Sequence, residues 1–376
     1  MQLVEQHVIA RSDSRYAAID EAAFKSKNLY NAALYEIRQS FIHEGKYLNY
    51  NEIQRRMQSH EAYTALPAKV SQQILMLLDK NWTSFFEALK AYEEDPSKFC
   101  GRPRLPKYKH KTEGRNILVY TVQAVSKTGL KHGLVQPSML PISVKTKQKD
   151  IDQVRIVPRN GYYVVEVIYT KEPVQTNVDP SFCVGIDLGV TNVAAIASNR
   201  EGFIPRLVNG RPLKAWNQWY NKRIKELKKL LPKADRERVT RQMEQITNTR
   251  NRRIDHYLHT ASKRIIDFLV EEGIGTVIIG LNPLWKQECK MGRRNNQNFV
   301  SIPHARFIDM ITYKAALVGI GVEVREESYT SQASFLDLDP IPDYKPNDEE
   351  EHVFNGKRIG RRKRLYRTKD GLHRRL

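Results

Sequence analysis

Hydrophobic residues recur along this chain with three different spacings, and the changes of spacing mark its parts. Residues 1–9 carry LVEQHVIA, which alternates as a short strand. From Ser14 the segment YAAIDEAAFKSKNLYNAALYEIRQSFI places Ala, Phe, Leu, Tyr and Ile at three- and four-residue intervals, the spacing of an amphipathic helix. Helical runs follow at 51–57 and 68–92, and the aromatic residues of the latter are read as core, giving a small helical bundle.

Proline then breaks the pattern. In GRPRLPKYKHK, at 101–111, two prolines within four positions exclude a helix and leave an extended basic strip suited to lie along phosphates; a solvated linker is the plainer reading. From 116 to 169 the period is two: ILVYTVQAV, GLVQPSM, ISVKTK, VRIVPR and GYYVVEVIYT are short strands, with Asn160-Gly161 as a hairpin turn. They predict a small β-barrel completed by the N-terminal strand.

The densest apolar run, FCVGIDLGVTNVAAIAS at 182–198, carries one acid, Asp187, and the glycines Gly185 and Gly189. It predicts two buried strands joined by a tight hairpin. A carboxylate inside a sheet calls for a cation, either a divalent metal or a metal-bound phosphate, unless it caps the turn at Gly189. An actin-like phosphotransferase and a RuvC-type nuclease both place an aspartate here. After the hairpin, helical periodicity runs for most of 213–272 with a break near Pro232; GTVIIGLNPLW is a buried strand, IPHARFIDMITYKAALVGIG a helix and VEVREESYTSQ a strand. Paired strands, long helices, strand, helix, strand is the order of an RNase H-like sheet. No second glycine-rich phosphate loop follows, which disfavours an actin-like ATPase.

Charge changes the picture towards nucleic acid. The 376 residues suffice for two or three domains, and 62 Lys and Arg stand against 42 Asp and Glu, for a net charge of +20 and a pI near 9.7. With 40% hydrophobic residues such a chain is folded and holds a polyanion. The basic residues come in runs at 101–111, 222–229, 236–242, 248–255, 292–296 and 357–367, spread as a surface that tracks a phosphate backbone. Three scattered cysteines, Cys100, Cys183 and Cys289, exclude a cysteine-rich zinc ribbon and a disulfide framework, so a reducing cytosol is expected. No segment has the ~20 apolar residues of a membrane span, and no signal-peptide pattern opens the chain.

With this order and charge in place, GRPRLPKYK, VGIDLGVTNVAA, NRRIDHYLHTAS, NPLWKQE, GRRNNQNFVSIPHARFIDMITYKAALVGIGVEV and EESYTSQASF together resemble the TnpB/OrfB family of insertion-sequence proteins, related to compact type V CRISPR effectors. The resemblance implies an α/β multidomain chain: a wedge-type β-barrel at 1–10 and 97–178, a helical recognition bundle at 11–96, and a RuvC-like RNase H fold at 179–376. The last carries a helical insertion at about 213–272 and a degenerate zinc-ribbon region at about 330–365. It implies an RNA-guided DNA endonuclease in the bacterial cytosol or nucleoid, a monomer on a guide RNA from the transposon end, acting on double-stranded DNA with an adjacent motif and cutting with Mg2+ held by three acids.

Three positions depart from that pattern. The first acid is Asp187; the second, a glutamate in relatives, is Gly280; the third lies in a segment past GLHRRL, where this chain stops. In relatives with the IGxNxxWKQ form of the second strand a glutamate of the neighbouring strand takes over, here Glu327, with Glu326 facing oppositely by strand alternation. Asp337 and Asp339 are further candidates, and no zinc is expected, because ASFLD stands where relatives carry a CxxC pair. The expectation is an RNA-guided DNA-binding protein with impaired nuclease, or alternatively an active nuclease using Asp187 and Glu327 as catalytic metal ligands. Arg102, Arg104, Lys107, Lys109, Arg252, Arg253, Lys286, Arg293 and Arg294 are the expected nucleic-acid contacts.

Overall fold

The computed structural model describes residues 1–281, 301–330, 332–334, 336–342, 352–359, 365–371 and 373–375. The chain forms two compact units, Met1–Glu172 and Pro173–Leu376.

In the first unit β1 (Gln2–Ala10) pairs antiparallel along its whole length with a later strand. Helices follow: α1 (Tyr16–Glu44), α2 (Tyr50–Met57), α3 (Glu61–Thr64) and α4 (Ala68–Glu94). The α2 start is fixed by Asn49, whose side chain accepts from the amides of Asn51 and Glu52 while Glu52 returns a bond to the Asn49 amide, satisfying donors that the first turn leaves open. Trp82 of α4 is fully buried and packs against Phe41, Tyr47, Phe85 and Phe86, so the aromatic stripe is core.

The strands β2 (Leu118–Thr121), β5 (Gln153–Arg159) and β6 (Tyr162–Thr170) join β1 in a sheet of order β1-β6-β5-β2. Gly161 turns the β5–β6 hairpin at φ 81°, a conformation that favours glycine. The sheet does not close into the expected barrel: β1 and β2 are its two edges, and β3 (Leu134–Val135) and β4 (Val144–Lys145) pair only with each other. Between β2 and β3 the chain coils into a helical turn at 122–124 and α5 (Lys127–Lys131), started by Ser126 Oγ accepting from the Gly129 amide, and no residues remain for a closing strand.

The second unit opens with β7 (Asp179–Asp187), β8 (Asn192–Ser198) and β9 (Arg206–Asn209), consecutive antiparallel neighbours. Helices α6 (Arg211–Lys229) and α7 (Arg241–Glu271) follow, separated around Pro232. Then come β10 (Ile274–Gly280), parallel to β7, α8 (His304–Ala316), and β11 (Gly321–Arg325), parallel to β10. The sheet order is β11-β10-β7-β8-β9. In order of appearance this is fifth, fourth, first, second, third. Val184, Ile186, Ile196, Val277 and Ile279 are buried with Leu258, Ile265 and Leu269 of α7 and Phe307 and Ile311 of α8. The pleat therefore turns Gly185 and Asp187 to the opposite face.

Three short strands, β12 (Lys357–Ile359), β13 (Leu365–Arg367) and β14 (His373–Arg375), form an antiparallel sheet where the sequence patterns suggested only a degenerate zinc-ribbon region. The segment before them is tied by acids. Asp339 accepts from the amides of Ser334 (2.8 Å) and Asn355 (3.1 Å) and from Asn355 Nδ2 (2.6 Å), while Asp337 accepts from Ser334 Oγ and from the Lys369 amide. These two acids serve local structure and are not placed with Asp187.

Candidate metal centre and nucleic-acid interface

Asp187 ends β7, opposite Ala195 of β8, which in turn lies opposite Leu207 of β9. The hairpin after it turns through Leu188–Thr191, with Gly189 at the corner. Here the structure corrects one expectation, because Asp187 is exposed on the open face of the sheet and is not enclosed within it. Its turn is held from two sides. The Gly210 amide donates to Thr191 O at 2.8 Å, and His304, buried at the start of α8, bonds Gly189 O through Nε2 at 3.1 Å. Sequence reasoning missed His304; its only signal is a histidine directly after proline at the head of an apolar helix.

The partner acid arrives from the far side of β10. Strand β11 ends at Arg325, whose carbonyl accepts from the Leu281 amide, so Glu326 and Glu327 lie beyond the strand. Their divergence comes from a turn and not from strand alternation, as the sequence suggested. Glu326 accepts from the amide of Ser328 at 2.9 Å and from its hydroxyl, while Glu327 enters a groove of about 430 Å³ that Asp187 and Gly280 also line. Gly280 makes room for it: a Cβ at 280 would overlap Glu327 Oε2 and lie 3.0 Å from the carboxyl carbon.

Burial pushes the Glu327 carboxyl above its usual range, and the charges of Asp187 and then Glu326 push it further. A second acid in the same groove as this raised carboxyl fits a hard divalent cation such as Mg2+, for which Asp187 and Glu327 would be the ligands. Among the described residues no group of three His, Cys, Asp or Glu side chains is placed to share a metal.

The basic strip belongs to the first unit and is docked along α1. Lys27 Nζ donates to Lys111 O at 2.6 Å, Asn31 exchanges two 2.9 Å bonds with the backbone of Lys109, and Arg38 donates to Pro106 O at 3.4 Å. The backbone is thereby fixed while Arg102, Arg104, Lys107 and Lys109 remain exposed. A free linker would lack these anchors, which favours the reading as a phosphate-facing strip. Arg252 and Arg253 are exposed on α7 in the second unit, and Lys286, Arg293 and Arg294 lie outside the described residues. Among the described residues no helix is long and apolar enough to cross a membrane.

The second unit is thus a mixed α/β domain whose five-stranded sheet carries an acid pair on its open face. Residues 163–283 match the OrfB_IS605 family model, described as a probable transposase. No curated protein matches the chain. Solved structures similar to it include a Cas12f1–sgRNA–target DNA complex (TM-score 0.48, 15% identity, covering 84% of this chain and 73% of that one). A CRISPR-Cas12f ternary complex follows (0.35, 18%, 84% and 72%), as does a Cas12i–crRNA complex (0.31, 10%, 84% and 59%).

Proposed function

We propose that this chain is an RNA-guided DNA-binding protein of a transposable element, with an RNase H-like (RuvC) domain in its second unit that keeps a reduced metal centre. The observation that carries the reading is the acid pair: Asp187 and Glu327 face one groove at the C-terminal ends of the central parallel strands. The family match and the sheet order β11-β10-β7-β8-β9 support the fold. The net charge of +20 and the docked strip at 101–111 support a long phosphate contact, with guide pairing reading the sequence of the target.

Binding and cutting rest on different residues. Distributed Lys and Arg hold phosphates, whereas hydrolysis needs acids placed to within a fraction of an ångström. Mg2+ held by Asp187 and Glu327 would supply charge neutralisation at the scissile phosphate. A two-acid set holds it less firmly than three, so cutting is weak.

The exchange of Gly280 for a carboxylate delivered by Glu327 favours a second reading, an active nuclease with a relocated acid. One experiment separates the two. The protein is expressed with its native flanking DNA, the co-purified RNA is sequenced, and cleavage of a matching duplex is followed across a Mg2+ titration. A discrete RNA with a constant scaffold and duplex binding without cutting supports the first reading, and saturable cutting supports the second. A smear of cellular RNA overturns both.

A further inference from the structure

A second cavity lies around the edge of the same sheet. It measures about 450 Å³ and runs between β9, which among the described residues has no strand on its outer side, and α7. Its floor is apolar, from Ile196, Val208 and Ile265. One wall is a ready-made stack: the Arg206 guanidinium carbon sits 4.8 Å from the centre of the Phe268 ring. Arg264 lines the other side, and among the described residues no carboxylate lines the cavity. Tyr257 closes one end by donating its hydroxyl to Asn209 O.

This is an unusual mixture for a hydrophobic ligand, which would gain nothing from two guanidinium groups. It matches a nucleotide: a flat π surface for a base beside cations for a phosphate. The volume falls within the range of small-ligand pockets. Its position also fits, because Ile196 and Leu207 line both this cavity and the groove of Asp187 and Glu327. Leu207 of β9 thus borders both cavities, and Arg206 is its neighbour along the strand.

We propose that the groove between β9 and α7 binds a nucleotide of single-stranded DNA, its base against the Arg206–Phe268 stack and its phosphate at Arg264. This rests on the reading of the acid pair as the place where DNA is engaged. The site extends that engagement by one nucleotide beyond the metal centre, and it needs no sequence preference, since every base offers a π face.

The test uses the full chain with its co-purified RNA. Binding of a fluorescein-labelled single-stranded 20-nucleotide thymidine oligomer is measured for wild type, Arg206→Gln/Arg264→Gln and Phe268→Leu. A 4-thiothymidine version is photo-crosslinked and the adduct mapped by mass spectrometry. Expected are an adduct on the peptides that contain residues 206–209 or 257–268 and a loss of affinity of about 10-fold in each variant, the scale of one lost stacking or phosphate contact. Arg206 and Arg264 are exposed, so their double variant keeps its melting temperature even where Phe268→Leu does not. Adducts confined to other peptides with unchanged affinity overturn the proposal, as does labelling by a uridine RNA oligomer in preference to DNA. Guided duplex binding that persists while the groove stays unlabelled sinks this site alone, whereas failure to bind any guided duplex sinks the parent reading.

Discussion

The carboxylate of Glu327 occupies the space into which a side chain at Gly280 would project. The glycine at 280 of β10 and the acid from the segment after β11 are therefore geometrically linked. The missing Cβ at 280 is what admits Glu327 beside Asp187.

Gly280→Ala is expected to displace that carboxylate. Overpacking costs about 1–3 kcal/mol in a dense core, and here the low end applies because a glutamate side chain can swing aside. The sharper effect is on metal: Mn2+ affinity, by calorimetry, drops as Glu327 leaves. The exchange Gly280→Glu with Glu327→Gly restores it from the strand. Unchanged Mn2+ affinity in Gly280→Ala would show that Glu327 holds no metal.

Removing Asp187 and removing the basic strip should have opposite signatures. Asp187→Ala weakens Mn2+ binding by at least about 100-fold, the upper end of what changes outside the ligand set cost, and leaves nucleic-acid affinity near wild type. Replacing Arg102, Arg104, Lys107 and Lys109 by glutamine weakens binding to every sequence. It makes the slope of log affinity against log salt shallower by about 3, at roughly 0.7–0.9 per phosphate contact. Equal losses in the two variants would mean that acid and strip are not separate devices.

Local periodicity made most elements legible. The helices at 16–44 and 68–94, the hairpin carrying Asp187 and the β5–β6 hairpin at Asn160-Gly161 all follow from spacing and turn residues. The barrel did not, because closure depends on which distant edges meet, and the Ser126 cap spends residues 127–131 on a helical turn. Strand alternation failed at Glu326 and Glu327 for a similar reason: β11 stops at Arg325, and the polar doublet after it carries no sign of a stop. The bond from His304 to the Asp187 turn spans 115 residues, beyond any local pattern. The groove between β9 and α7 depends on an Arg206–Phe268 contact that no spacing shows.

The acid clasp at the end of the chain gives a prediction about order. Asp339 ties Ser334 to Asn355, and Asp337 ties Ser334 to Lys369, holding the segment by hydrogen bonds. Asp339→Ala should raise amide exchange in 334–339 and 354–356 and open a protease site there, with no response to added zinc. Exchange unchanged from wild type would mean that the β12–β14 sheet holds the segment without the clasp.

The first unit carries a pH-sensitive lock at Asp20 of α1. Its carboxylate accepts from Arg115 Nε at 2.9 Å and Nη2 at 2.7 Å and from the Tyr163 hydroxyl at 2.6 Å, joining α1, the segment before β2 and β6. Burial pushes its proton affinity up, but the bonds from Arg115 and Tyr163 outweigh that, and the carboxyl sits below its usual range. A depressed carboxyl stabilises the fold above its unfolded value, near 3.8, and the contribution is lost as pH falls through the lower folded value. Asp20→Asn keeps the shape but removes the charge that Arg115 answers. At neutral pH it should destabilise the unit by about 1–2 kcal/mol, a figure reduced from that of a fully buried pair because both side chains retain some exposure. Urea titrations at pH 7 and pH 3 check this: the gap between wild type and variant should narrow at the lower pH, since below about 3.8 the unfolded chain takes up a proton that the folded, depressed Asp20 resists. A gap of equal size at both values would mean that the shape of the side chain, and not its charge, holds α1 to β6.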